Sequence, residues 1–377
     1  MKLRRLWAVA RKEFLHVLRD ARSLGLAIAL PVILLVLFGY ALTLDVDHIP
    51  LAVWDQSRTA ASRELLSRFC GSRYFAVRRS CRSYRELERA IDAGDALMAL
   101  VIPSDFAARV ASGRRTAVQA IVDGADPNTA TIAMSYATAI VRDYSQELVL
   151  AEVRRAGLSP PPPAIDPRPR VWFNPEMESK NFIIPGLIAI IMMVIAALLT
   201  SQTVAREWER GTMEQLISTP VRPAEVVLGK LIPYFAIGML DVALAVLMGG
   251  LLFAVPLGGS LALLFLASAV FLAGALGMGL VISIVAPSQL LANELAMVLT
   301  YLPAFLLSGF MFPIANMPKV IQAVTYAIPA RYFMVILRGI YLKGLGLAVL
   351  GPELLLLAGF ALAVGTIAIL KFRKTMR

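Results

Sequence analysis

Apolar residues in this chain gather in long uninterrupted blocks, not in short alternating runs. Six blocks stand out: Leu24–Leu44, Phe182–Ser201, Leu231–Val255, Leu261–Ala286, Leu295–Phe312 and Leu350–Leu370. A hydrocarbon core about 30 Å thick takes roughly 20 residues of helix to cross. The pattern therefore predicts an α-helical polytopic membrane protein with six transmembrane helices. Only Pro256–Ser260 separates the third block from the fourth, which reads as a tight hairpin. The first block is too long for a secretory leader, and Tyr40–Asp45 offers no small-x-small cleavage pattern, so it is expected to stay as a helix.

The polar stretches between the blocks have their own periodicities. In residues 1–22, Leu3, Leu6, Trp7, Ala10, Phe14, Val17 and Leu18 recur at helical spacing, with Arg4, Arg5, Arg11 and Arg19 off that stripe. Such a helix lies in the membrane interface. Residues 45–180 alternate strand-like and helix-like runs, which predicts an inserted mixed α/β domain. Strands are expected at Pro50–Asp55, Phe75–Arg78, Leu97–Ile102 and Ala117–Val122. Helices are expected from a Ser57 cap to Phe69, from a Ser83/Glu86 capping box to Ala93, from a Ser104 cap, and from Thr129 to Arg155. Asp123–Asn128 is turn chemistry, and Ser159–Pro163 is an extended spacer.

Composition then locates the charge. Hydrophobic residues make up 58% of the chain and the formal net charge is +11. Residues 45–180 hold 18 Lys/Arg against 17 Asp/Glu, so the basic excess lies in the membrane part. A nucleic-acid binder would carry that excess on a soluble surface; here it fits anionic lipid and topology signals. Seven Lys/Arg fall in the first 22 residues. Arg206, Arg210, Arg222 and Lys230 follow the second block, and Lys371, Arg373, Lys374 and Arg377 close the chain. The opposite side carries Lys319, Arg331, Arg338 and Lys343. The positive-inside rule then places both termini in the cytoplasm and residues 45–180 outside it. In a bacterium this means the inner membrane.

Catalytic and metal chemistry has no support. The two histidines, His16 and His48, are far apart, and HExxH, CxxC and GxSxG are absent. No phosphate-cradling GxxxxGK[ST] occurs, so no metal or nucleotide cofactor is expected in this chain. Asp241 stands inside the third block, where an acid is costly; structural hydrogen bonding and an ion or substrate pathway both remain open for it. Glu294 is expected at the cytoplasmic border. Cys70 and Cys81 fall in the outer domain, where a disulfide is chemically allowed and spacing alone leaves it undecided.

Arg206–Phe235 reads REWERGTMEQLISTPVRPAEVVLGKLIPYF. Good helix formers surround one glycine up to Ser218, Thr219-Pro220 breaks the helix, and a second helix starts near Pro223 and runs into the third block. A short charged helix between two spans is a lever on which a soluble partner can push. This segment resembles the cytoplasmic coupling region of ABC-2 type transporter permeases at Glu207, Arg210, Gly211, Thr212, Glu214, Leu216, Thr219, Pro220, Glu225, Gly229 and Lys230, with Arg206 opening it. A second segment, Leu307–Gly344, resembles the family's re-entrant outer segment; Ser308, Gly309, Pro313, Pro318 and Pro329 interrupt it. Backbone broken at membrane depth is tolerated only against protein or a wet cavity.

The resemblance covers the whole chain and is closest to drug-efflux permeases with a large periplasmic domain between spans 1 and 2. It implies an interfacial helix at 1–22, spans at 23–44 and 181–203, the outer domain at 45–180, a coupling region at 204–227, and four further spans in 228–377 with a re-entrant stretch at 313–345. It also implies a dimer with a second permease, a separate ABC ATPase subunit that binds ATP and Mg, and, in some members, a periplasmic membrane-fusion adaptor. The function implied is export, with ATP hydrolysis on the partner chain. The competing expectation is a membrane-anchored sensor or scaffold whose outer domain binds a ligand.

Overall fold

The computed structural model describes residues 2–19, 21–42, 47–155, 157, 170, 172–175 and 178–372, without the side chains of residues 21–23, 26, 216 and 217. The Leu44–Asp45 border, the Ser159–Pro163 spacer, the Leu216 side chain and Arg373, Lys374 and Arg377 lie outside the described residues. The chain divides into two compact units, one of residues 44–169 and the other of residues 1–43 with 170–377. Helices α1 (Leu3–Arg19) and α2 (Ala21–Ala41) precede the inserted unit.

The inserted unit holds β1 (Ile49–Asp55), α3 (Ala60–Gly71), β2 (Phe75–Ser80), α4 (Tyr84–Asp92), β3 (Met98–Ile102), α5 (Phe106–Ala111), β4 (Gln119–Val122) and α6 (Pro127–Arg155). Its sheet has the order β2-β1-β3-β4, with β1 parallel to β2 and β3, and β4 antiparallel to β3. Strand alternation sends Leu51, Val53, Met98, Leu100 and Ile102 to one face, where they meet Leu65 and Phe69 of α3 and Ala133, Ala137 and Tyr144 of α6. The other face presents Ala52, Ala99 and Val101 to Leu87 and Ala90 of α4.

Two of the expected caps move. Thr59, not Ser57, caps α3 by accepting from the Ser62 amide, because the Ser62 hydroxyl reciprocates to the Thr59 amide at 3.0 Å. Asp105, not Ser104, precedes α5, with no side-chain cap bond. Ser83 does accept from the Glu86 amide, but the Glu86 carboxylate reaches the Arg82 amide at 2.7 Å and not Ser83. Cys70 and Cys81 are both free thiols. Cys70 is exposed on α3, which packs on one face of the sheet, whereas Cys81 is buried on the opposite face. The sheet lies between the two helices' faces, so the bridge considered from the sequence does not form.

The chain returns as α7 (Ser179–Ser201), α8 (Thr203–Glu209), α9 (Thr212–Ile217), α10 (Pro223–Leu251), α11 (Leu261–Val285), α12 (Gln289–Ala296), α13 (Leu302–Leu307), α14 (Lys319–Thr325), α15 (Pro329–Lys343) and α16 (Leu347–Lys371). Among the described residues, five helical stretches are long and apolar enough to cross a membrane: Ser179–Glu209, Pro223–Leu251, Leu261–Val285, Gln289–Leu307 and Leu347–Lys371. They coincide with the last five apolar blocks. In α2, Ala27–Ala41 is a shorter apolar stretch, and α14 and α15 form a pair bent by 81°. The chain is a multi-pass membrane protein.

Helix α7 is the hub, with α2, α10, α11, α12 and α15 packed around it. It is 83% buried over its most apolar window, so its apolar surface is met by other helices on nearly all sides. Close approach relies on glycines of α11. A side chain at Gly279 would strike Ala197 and Thr200 of α7, and Gly274 and Gly277 face Phe360 and Val364 of α16. The Thr200 hydroxyl donates to the Leu276 carbonyl at 2.8 Å across the α7–α11 contact. The link between α10 and α11 is not a tight hairpin. It runs from Leu252 to Ser260 and docks on the end of α15, where the Gly258 amide donates to the Tyr341 carbonyl at 2.9 Å. A π-helical turn, Met297–Tyr301, interrupts the fourth stretch two residues before Pro303, whose ring and missing N–H forbid a regular α-turn there.

Candidate functional site: a helical lever and a buried charge latch

The α8–α9 segment is built as the sequence suggests, up to a point. Gly211 adopts φ +69°, which L side chains resist, and turns the chain between the two short helices. The first amides of α8, at Val204 and Ala205, would be orphaned donors; the Ser283 hydroxyl of α11 accepts both, at 2.9 and 3.1 Å. Arg206 points sideways, its Nε donating to Gln289 Oε1 at 3.1 Å and its Nη2 to Gln202 Oε1 at 3.0 Å. Glu209 accepts from the Gln289 amide at 2.7 Å. Met213 is buried against Val226, Val227 and Leu280. Arg210, Gly211, Thr212, Glu214, Thr219 and Pro220 are exposed.

Glu207 departs from the expectation. It belongs to the matched coupling motif, yet it is buried and faces the bundle. Its Oε2 lies 3.0 Å from Lys230 Nζ on α10, and its Oε1 accepts from Lys12 Nζ on α1 at 2.7 Å. Lys230 also donates to Glu13 Oε1 of α1 at 2.8 Å. Two cations and two carboxylates thus balance inside one contact. Three of the four groups are almost wholly buried, with Lys230 at 1% and Glu13 at 5% exposure. Burial opposes the charge on half-exposed Lys12, but the hydrogen bond with Glu207 and the two nearby carboxylates outweigh it, so its pKa is raised.

The amphipathic face of α1 explains how this contact is reached. Leu3, Trp7, Phe14 and Leu18 form an exposed apolar row, whereas Val9, Ala10 and Glu13 turn inward. Gly229 of α10 allows the approach: a Cβ there would lie 2.8 Å from Val9 Cβ. The same seam continues at Glu225, whose carboxylate accepts from the Lys2 amide at 2.7 Å and the Arg222 amide at 3.0 Å. Arg5 Nη1 donates to the Pro220 carbonyl. The chain N-terminus, the α8–α9 segment and the start of α10 are therefore one mechanical body. Glu13 carries no motif signal; it lies off the apolar stripe among basic residues, and only the packing of α1 on α10 gives it a partner.

Asp241 sits deep in α10 at 1% exposure, and neither carboxylate oxygen has a hydrogen-bond partner among the described residues. Ser268 on the facing helix α11 is likewise buried and unpartnered. The interrupted segment Leu307–Gly344 is held by Arg338 of α15, whose Nη1 donates to the Gly309 carbonyl at 3.1 Å and whose guanidinium stacks 3.5 Å from the Phe182 ring centroid. Gly309 is at φ +85°. Pro313, Pro318 and Pro329 each open a short helix, where a missing N–H costs nothing. Ser308 is buried with its hydroxyl unpartnered. Glu294, on α12, is exposed. The structure brings Arg206, Glu207 and Lys230 near one another and leaves Asp241 and Gly309 in separate parts of the bundle. Among the described residues no cluster of three or more His, Cys, Asp or Glu side chains is arranged to hold a metal.

Comparison with known proteins agrees with this architecture. Residues 22–370 match the family described as ABC-2 family transporter protein. The chain is 41% identical over 342 residues to the probable multidrug ABC transporter permease YbhS of Escherichia coli K12, covering 90% of this chain and 89% of that protein. It is 32% identical to the probable multidrug ABC transporter permease YbhR of the same organism, over 98% of both chains. It is 28% identical over 87% of its length to the inner membrane transport permease YhhJ. With its bundle of apolar helices matched from residue 22 to residue 370, this chain belongs to the ABC-2 family of transporter permeases.

Proposed function

We propose that this chain is the membrane subunit of an exporter in the bacterial inner membrane, driven by a separate ABC ATPase that pushes on α8 and α9. The observation that carries the reading is the rigid coupling of that segment: an exposed outer surface, with a buried inner surface tied to α1, α10 and α11. A force on Arg210, Thr212 or Glu214 passes through Glu207 to Lys230 and so to the span that follows. ATP and Mg are bound by the partner, and this chain supplies no catalytic group. Both termini face the cytoplasm, α2 serves as the sixth span, and the inserted α/β unit lies on the outer side. The family resemblance supports a second permease as partner, with a membrane-fusion adaptor on the outer side, and the relatives' printed names support drug-like or amphipathic cargo. Asp241, without a hydrogen-bond partner among the described residues of the bundle, is our candidate for the substrate or ion pathway.

The test is capture of the ATPase. Arg210→Glu with Glu214→Lys reverses the exposed charges of the lever without touching the buried latch. The protein is expected to insert and purify normally while losing ATP-dependent export and co-purification of an ATPase subunit. Unchanged capture and export would remove the lever reading. Labelling of a cysteine placed at Thr212 from the outer side alone would remove the topology.

A further inference from the structure

A cavity of about 260 Å³ lies among α1, α2, α7, α10 and α12. Its wall is built at helical spacing from two helices: Leu24, Ala27 and Leu30 of α2, and Ile195, Leu198 and Leu199 of α7. This part is apolar. At one end the lining changes character to His16, Gln202, Arg206, Tyr234 and Asn293. A second, polar pocket of about 140 Å³ begins there and shares His16, Arg206 and Tyr234 with the first. The two form one compartment with an apolar body and a polar head.

Among the described residues the head carries uncompensated positive charge. Its carboxylates, Glu13 and Glu207, are matched by Lys230 and Lys12 in the latch. Arg206 is hydrogen-bonded only to the neutral amide oxygens of Gln289 and Gln202, and among the described residues no carboxylate pairs with Arg206 or with Arg210, which also lines the head. His16 adds an imidazole N–H to the lining. A cation beside an apolar cleft is matched by a molecule with an anionic end and a greasy one.

We infer that this compartment binds an amphiphile with one anionic headgroup, the headgroup at Arg206 and a single flexible apolar tail between α2, α7 and α10. The inference rests on the membrane placement of α7 and α10. It is independent of whether an ATPase docks on α8 and α9.

The test uses the purified full chain in detergent with lyso-phosphatidylglycerol carrying a photoactivatable group in its acyl chain. Lyso-phosphatidylcholine with the same chain is the zwitterionic control. The anionic probe is expected to label peptides containing Leu24–Leu30 and Ile195–Leu199 about tenfold more than the control, and unlabelled lyso-phosphatidylglycerol is expected to compete. Arg206→Gln is expected to remove most of that preference. Leu199→Trp fills the tail region while leaving Arg206 in place, and is expected to abolish labelling by both probes; it keeps the test decisive if Arg206→Gln fails to fold. An anionic phospholipid retained through purification and seen by native mass spectrometry supports a membrane-lipid occupant. A site that purifies empty and then takes up the probe supports a free amphiphile. Equal labelling by the two probes, or labelling that survives Leu199→Trp, would overturn the inference. Failure of ATPase capture would leave the labelling pattern unchanged, so the two readings fail separately.

Discussion

Lys230 and Asp241 stand on one helix, α10, about 16 Å apart at ~1.5 Å per residue. Each is 1% exposed. Lys230 meets two carboxylates at 2.8 and 3.0 Å, whereas Asp241 meets no hydrogen-bond partner among the described residues. The difference teaches what each charge is for. A buried pair with good geometry repays part of its desolvation and fixes the register of the elements it joins. A buried acid without partners repays none of it, which is the ground for proposing Asp241 as a pathway residue.

The sharpest way to break the comparison is to remove the cation. Lys230→Met leaves Glu13 buried without its close partner and Glu207 with Lys12 alone, and is expected to cost about 3–5 kcal/mol, read as lowered unfolding stability in detergent and reduced yield. Adding Glu13→Gln and Glu207→Gln should restore most of the loss. A Lys230→Met protein as stable as the parent would show that the latch carries no structural weight.

Next in size is the contact that permits the latch. Gly229→Val inserts a branched side chain where Val9 already sits, and about 1–3 kcal/mol of destabilisation is expected. A cysteine placed at Ala10, buried in the parent, should be alkylated faster in this variant as α1 lifts. Unaltered alkylation would mean that α1 rests on α10 by some other seam.

Asp241 should behave in the opposite sense. Asp241→Val removes an unpartnered acid and is expected to leave stability unchanged or raise it by about 1–3 kcal/mol, while export falls. A destabilisation as large as that of Lys230→Met would reveal a structural role and sink the pathway assignment. The smallest effect belongs to the exposed lever. Glu214→Lys alone is expected within about 0.5 kcal/mol of the parent by denaturation, with the change confined to ATPase capture. A loss of fold stability there would place Glu214 in the interior contact instead.

Much of the local architecture was legible before any coordinates. Pro313, Pro318 and Pro329 mark helix starts because proline's fixed φ and missing N–H admit few other places. The turn expected at Asp123–Asn128 ends at Asp126, whose carboxylate accepts from the Asn128 amide at 3.1 Å and so opens α6 at Pro127, two residues before the expected Thr129. The caps at Thr59 and Asp105 were misplaced by one or two residues, since several adjacent Ser, Thr and Asp can each serve and packing picks among them.

What the sequence determined by itself is what depends on near neighbours: block lengths sufficient to cross a bilayer, helix breaks, the amphipathic stripe of α1 and the residues of the α8–α9 lever. Its apolar blocks do not say which helix lies inside. α7 and α16 have similar hydropathy, 2.9 and 2.3, yet their apolar windows are 83% and 11% buried. Only the tertiary structure decided that Glu207 faces inward, that Glu13 shares Lys230 with it, and that Arg206 is left with neutral partners beside an apolar cleft. The reason is distance along the chain. Glu13 and Lys230 are 217 residues apart, and no local pattern records a partner that only the packing of α1 against Gly229 brings within 2.8 Å.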